Sequence, residues 1–321
     1  MEVKTFNELQ SQIQALYQDG DYASALDLAT RQFESFPEQA HLLYYWRFSM
    51  LARLGETDQA IDLLREVLGT GFWYGEVLLR KSPALQPLQG LPEFERLVDL
   101  NRRLREADEA RSFPLIVLRS QGRCQAGDPP CPVMLALHAN ASMAQESVDF
   151  WRPAASAGWL VAVPQSSQPM WKGAYVWDDR QITEQEIKKR YASLKGKYAT
   201  DPQQVVLAGH SSGGEAAIWL ALSGAIPASG FVVFGPAGPL LDEPESWERL
   251  IRDHHNPGLR GYMIVGEEDS AISLDNVEIL VDMLNEGGIA CELEVVPHAG
   301  HDYAPEYESS LLRGLEFITQ A

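Results

Sequence analysis

The sequence predicts an α/β protein, a mostly parallel sheet with helices on both faces, preceded by an all-helical module. Three observations carry this. Up to about residue 110 the apolar residues recur at three-and-four spacing, as on amphipathic helices. From Phe113 onward, short apolar runs alternate with helical stretches. The composition shifts at a charged stretch, DLNRRLREADEARS over residues 99–112, which reads as a connecting helix. With 321 residues the chain is long enough for two domains, placed at 1–110 and 111–321.

In the first part, Phe6, Leu9, Ile13 and Leu16 mark one helix, and Tyr22, Ala25, Leu26, Ala29 and Phe33 a second. Leu43, Trp46, Met50 and Leu54, then Ala60, Ile61, Leu64 and Leu68, repeat the pair. Gly20 aligns with Gly55 and Ala25 with Ala60, both at an offset of 35 residues. One helix pair per fixed period is the mark of a solenoid. The glycines permit left-handed turns, and the alanines let helices cross closely. SPALQPLQGLPEFERLV, from residue 82, reads as a degenerate cap.

In the second part, candidate strands are Leu115–Arg119, Val133–His138, Leu160–Pro164, Val205–Ala208, Phe231–Phe234, Tyr262–Val265 and Glu292–Val296. Continuous apolar runs suit strands covered on both faces. PQSSQPMWKGAYVWDD, from residue 164, reads as a long strand-poor loop of the kind that carries specificity.

The strongest chemical signal is Gly209-His210-Ser211-Ser212-Gly213, a G-x-S-x-G between a strand and an apolar helix. A serine on such a sharp turn projects its hydroxyl above the sheet, and the flanking glycines let the backbone pass close by. Ser212 lacks the glycine two residues earlier that Ser211 has in Gly209. A serine hydroxyl needs a base, and the base an orienting acid. For a nucleophile on such an elbow the chain order is acid, then histidine. The strand at Tyr262 runs into Gly266-Glu267-Glu268-Asp269, and the strand at Glu292 into Pro297-His298-Ala299-Gly300-His301-Asp302. Both lie just past carboxyl ends of strands, where open α/β sheets place their sites.

On these motifs, residues 113–321 resemble the α/β-hydrolases, nearest the phospholipase/carboxylesterase and dienelactone-hydrolase-like branches. The resemblance implies a G-x-x-D acid at Asp269 rather than Glu268, and a G-H base at His301 rather than His298. The oxyanion hole would use the N–H of Ser212, the residue after the nucleophile, and one from the loop after VMLALH. The family's His-Gly-donor pattern reads His138-Ala139-Asn140 here, giving Asn140, with Ala139 second and with alanine where glycine usually relieves strain. Trp151, Trp171, Trp177 and Tyr303 are candidate walls of a substrate pocket. Likewise ALYQDGDYASALDLATRQFESFP, from residue 15, resembles a tetratricopeptide repeat, which implies a docked protein partner.

The implied activity is a serine esterase acting on a small-molecule ester, with no cofactor and no metal. A peptidase, a thioesterase or a binding module on a spent hydrolase scaffold would share much of this pattern. The formal net charge of −19 disfavours nucleic acid and anionic membranes as partners. No apolar run suggests a membrane span, and the polar, acidic start lacks the layout of a secretory leader. A cytoplasmic protein is therefore expected, with Cys124 and Cys131 as unpaired thiols. His254 and His255, adjacent in a polar stretch, read as surface residues.

Overall fold

A computed structural model describes residues 5–109, 115–254, 256–304 and 306–320. The chain divides into two compact units, Met1–Ser112 with Pro169–Lys172, and Phe113–Gln168 with Gly173–Ala321.

The first unit is helical: α1 (Phe6–Gln18), α2 (Tyr22–Arg31), α3 (Ala40–Leu54), α4 (Thr57–Gly69), α5 (Glu76–Lys81) and α6 (Pro92–Glu109). Thr5 starts α1 with a reciprocal cap, its hydroxyl accepting from the Glu8 N–H while Glu8 accepts from the Thr5 N–H, both at 3.2 Å. Asp21 accepts from the Ser24 N–H at 3.1 Å and starts α2. Gly55 ends α3 at φ 82°, where a side chain is strained. Ala25, Ala29 and Ala60 are fully buried where helices pack. The charged stretch from residue 99 is no separate connector, because α6 already begins at Pro92; its end, 110–112, lies outside the described residues.

In the second unit come β1 (Ile116–Leu118), β2 (Cys131–Leu137), α7 (Ala144–Ser147), α8 (Arg152–Ser156), β3 (Leu160–Val163), β4 (Gln168–Trp171), β5 (Ala174–Val176) and α9 (Arg180–Lys197). They are followed by β6 (Thr200–His210), α10 (Ser212–Leu222), β7 (Gly230–Phe234), α11 (Pro239–Asp242), α12 (Glu248–Asp253), β8 (Arg260–Gly266), α13 (Leu274–Glu286), β9 (Ala290–Val296) and α14 (Tyr307–Thr319). Seven strands form one sheet in the order β1-β3-β2-β6-β7-β8-β9. β1 pairs antiparallel with β3, and every other pair is parallel.

Alternation along β2 shows how the sheet is buried. Val133, Leu135 and Leu137 join the core that holds Ile187 of α9, Ile218 of α10 and Leu280 of α13. Met134 and Ala136 join the opposite core, with Trp151, Ala154 of α8 and Leu311 of α14. Each fully buried large aliphatic side chain contributes about 1.5–3 kcal/mol.

The chain moves from β2 outward to β3, then returns to place β6 on the other side of β2. This reversal opens a crevice past the carboxyl ends of β2 and β6, where ligands bind in open α/β sheets.

Two expectations are corrected. The strand-poor loop contains a hairpin, β4–β5, because Gly173 at φ 81° turns the chain back within two residues. Its outer residues, 169–172, group with the helical unit: Trp171 bridges Tyr74, and the Gly75 N–H donates to the Met170 carbonyl at 2.7 Å. Cys124 and Cys131, expected as free thiols, form a disulfide, a pairing more usual in oxidising compartments. Both are buried in the core beside β6, where a short loop brings them together. Among the described residues, no helix is long and apolar enough to cross a membrane.

Denatured without reductant, the protein should expose a single thiol, that of Cys291, and after reduction all three. Titration with a chromogenic disulfide reagent reads this directly. Replacing both Cys124 and Cys131 by serine should lower Tm by several degrees, since a cross-link over so short a loop is worth about 2–3 kcal/mol.

Candidate active site

The site begins with a steric constraint. Ser211 sits between β6 and α10 at φ 55°, ψ −125°, a conformation side chains rarely adopt. Its own backbone is fastened on both sides: its N–H donates to the Phe234 carbonyl at 3.0 Å, and its carbonyl accepts from the Ala237 N–H at 3.1 Å. A Cβ at residue 209 would lie 2.2 Å from the Gly213 oxygen. One at residue 213 would lie 2.4 Å from the His138 oxygen. Only glycines fit, and the crowding turns the chain sharply enough to present the Ser211 hydroxyl.

That hydroxyl lies 3.0 Å from His301 Nε2. On the other side of the ring, Nδ1 lies 2.8 Å from Asp269 Oδ2. A carboxylate accepts, so Nδ1 carries the proton and Nε2 is free to accept from the serine. The Asp269 side chain is 1% exposed against 30% for His301, and its second oxygen accepts from the Ala271 N–H at 2.9 Å. Asp269 follows β8 and His301 follows β9, so parallel pairing of the strands brings the two turns side by side. Gly235, at φ 44°, leaves room for this pair: a Cβ there would stand 3.3 Å from both Asp269 Oδ2 and His301 Nδ1.

The competing residues pair elsewhere. His298 is 85% exposed and contacts Glu268 at 3.2 Å. Its N–H donates to Glu267. His254 caps its own helix through the Ile251 carbonyl, and His255 lies outside the described residues.

Two histidines that carry no expected role brace the site. His210 Nε2 is 2.6 Å from the carbonyl oxygen of His301, so it donates there and fixes the main chain of the base. Burial holds its pKa below the ordinary histidine value. His138, fully buried, donates from Nδ1 to the Ala139 carbonyl at 2.9 Å and accepts at Nε2 from the Ser166 N–H at 3.3 Å. Burial pushes its pKa down to about 4. The only sequence hint of these roles was a histidine at the carboxyl end of an apolar strand.

The loop after β2 carries Asn140, with the Ser212 N–H at the start of α10. The strain expected at Ala139 falls instead on Ala141, at φ 51°. β5 and the residue after it support this loop: the Tyr175 N–H donates to the Ser142 carbonyl at 3.1 Å, and Trp177 Nε1 donates to the His138 carbonyl at 2.9 Å.

Of the four aromatic residues expected to line a pocket, Trp177 borders a cavity beside Ser212, and the other three pack among neighbouring rings. Trp151 is fully buried, edge-on to Phe234 and Tyr303. Trp177 is 5% exposed and serves the loop just described. The Tyr303 ring stacks on Phe150 at 3.8 Å and lies 4.6 Å from the His210 ring. Trp171 packs against His41 in the helical unit. Trp151, Tyr303 and Trp171 are packing residues, because rings of this size are most stably placed where their faces are covered.

Residues 5–110 match the family model described as the A/B hydrolase-like N-terminal domain. No curated protein matches the chain. Among solved structures, an uncharacterized protein from Bacillus cereus is similar over 99% of this chain and 100% of its own, at 22% identity and a TM-score of 0.54. A dienelactone hydrolase-like promiscuous phosphotriesterase from metagenomic libraries is similar over 63% of this chain and 89% of its own, at 14% identity and a TM-score of 0.50. The sheet and its helices therefore have the α/β-hydrolase fold, preceded by a helical region of about 110 residues.

His138 generates a pH prediction. Its folded pKa, about 4, lies below the unfolded value of 6.5. The unfolded chain thus binds more protons between these values, and stability falls as pH drops through that window. The loss should approach roughly 3 kcal/mol at pH 4. In His138→Gln the slope of stability between pH 6.5 and 4 should be shallower, as urea titrations at fixed pH values would show.

Proposed function

We propose that this protein is a serine hydrolase that cleaves carboxylic esters through an acyl-enzyme. The observation that carries the proposal is the unbroken contact series Ser211–His301–Asp269, at 3.0 Å and 2.8 Å, past the carboxyl edge of the sheet. Structural packing has no need of a buried carboxylate, an imidazole in one fixed tautomer and a strained serine in a single row.

The geometry supports an ordinary acyl-transfer sequence. Ser211 Oγ attacks the ester carbonyl carbon while His301 Nε2 takes its proton. Asp269 accepts from Nδ1 throughout, which keeps the ring oriented and stabilises the imidazolium. The carbonyl oxygen, now an oxyanion, is received by the N–H of Ser212 and that of Asn140, with Ala139 as the alternative donor. As the C–O bond to the alcohol breaks, His301 returns the proton to the leaving oxygen. A water then repeats the attack with His301 as base, releasing the acid and restoring Ser211. Preorganised N–H donors of this kind are worth about 3–4 kcal/mol each in the transition state.

All of these groups come from the second unit, and no catalytic group is assigned to the helical one. His298, exposed and paired with Glu268, takes no part.

Ser211→Ala should lower kcat on p-nitrophenyl esters by roughly 10^4- to 10^6-fold and abolish labelling by a fluorophosphonate probe, with Tm little changed. His301→Ala should be comparably damaging, since the two act as a unit. Turnover that survives Ser211→Ala undiminished would show that another residue is the nucleophile.

A further inference from the structure

A cavity of about 120 Å³ lies beside the nucleophile, bounded among others by Ser212, Trp177, Asp178, Arg180, Glu215 and Trp219, and by Gly238. Three of its walls adjoin the elements that carry the reactive centre. Ser212 follows the nucleophile directly. Trp177 holds the His138 carbonyl. Gly238 follows Ala237, whose N–H holds the Ser211 carbonyl. A group in this cavity would therefore belong to the same molecule that presents its carbonyl to Ser211.

The hydrogen-bond inventory of the lining indicates which group fits. Glu215 is already occupied. One oxygen accepts from the N–H groups of Leu240 and Leu241 at 2.8 and 3.1 Å, and the other faces Arg180 at 3.8 Å. Arg180 in turn lies over the Trp219 ring at 5.7 Å. Two groups are left over. The Ser212 hydroxyl is enclosed and has no hydrogen-bond partner. Asp178, exposed at the mouth, has no partner among the described residues. An acceptor carboxylate and an enclosed hydroxyl beside aromatic walls suit a donor-rich cation. An ammonium can give one N–H to Asp178 and another to the Ser212 oxygen. The lining holds two carboxylates against one guanidinium, and the chain's net charge of −19 draws cations toward it. An anion would have to displace Arg180 from Glu215 and approach Asp178.

We infer that the cavity is a subsite for a primary ammonium group on the substrate, so that the preferred esters are small aminoacyl esters. The inference rests on the serine-hydrolase reading.

The test uses three methyl esters of matched size, cationic, neutral and anionic: β-alanine methyl ester, methyl butyrate and monomethyl succinate. Each kcat/KM is divided by the rate of alkaline hydrolysis of the same ester, which removes intrinsic reactivity. The full-length enzyme should favour the cationic over the neutral ester by about tenfold or more, the usual worth of one hydrogen bond to a charged group. Asp178→Asn should reduce that ratio toward one, and Asp178→Glu should restore part of it. Fluorophosphonate labelling confirms that each variant is folded. A ratio unchanged in Asp178→Asn, or a preference for monomethyl succinate, overturns the inference while leaving the hydrolase intact. If the enzyme turns over neither these nor p-nitrophenyl esters, the hydrolase reading fails and the subsite with it.

Discussion

The crowding between Gly209, Gly213 and the β2 end holds the rest of the site in place. At 2.2–2.5 Å there is no space for a β-carbon at either position, so the chain must turn through Ser211 at positive φ. The strain is held by hydrogen bonds from the neighbouring strand's exit: Phe234 and Ala237 clamp Ser211 through its N–H and carbonyl. Because the loop after β2 lies against Gly213, the same contact sets where Asn140 can place its N–H.

The parallel sheet supplies the second level of order. Adjacent strands β6, β7, β8 and β9 end at one edge, and successive turns there carry Ser211, Gly235, Asp269 and His301. Gly235, whose N–H donates to the Ile264 carbonyl at 2.8 Å, is informative for the side chain it lacks. Its φ of 44° and the 3.3 Å approach of Asp269 and His301 show that the turn after β7 leaves room for this hydrogen-bonded pair. His210 closes this frame by holding the carbonyl of His301 from the strand that leads into Ser211. Two elements distant in sequence are thus joined through a donor whose pKa burial lowers.

Much of the framework was legible in the sequence because it rests on short-range physics. Continuous apolar runs marked most strands of the main sheet, since strands buried on both faces need them, whereas β9, ACELEVV, is half exposed. Gly20 and Gly55 marked helix breaks, and both adopt positive φ. The hairpin β4–β5 was not legible: its strands are three or four residues long, and the first mixes Gln and Pro with Met and Trp. Its pairing depends on what it lies against. The Cys124–Cys131 pairing was equally hidden, because two thiols seven residues apart read the same whether bonded or free.

The sequence by itself determined the strand–turn–helix around Ser211 and the order of serine, acid and histidine, because glycine sterics and apolar periodicity act within a few residues. It could narrow the acid to a turn and the base to a pair of histidines, but no further without the family resemblance. Tertiary structure decided which residues meet. Glu268 and His298 find each other at the surface, whereas Asp269 and His301 are turned inward, a difference of one and three residues that only the loop conformations past β8 and β9 fix. It also decided the fate of the aromatics. Trp151 and Tyr303 looked like pocket walls and became packing, since the burial of a ring depends on neighbours contributed by distant strands and helices.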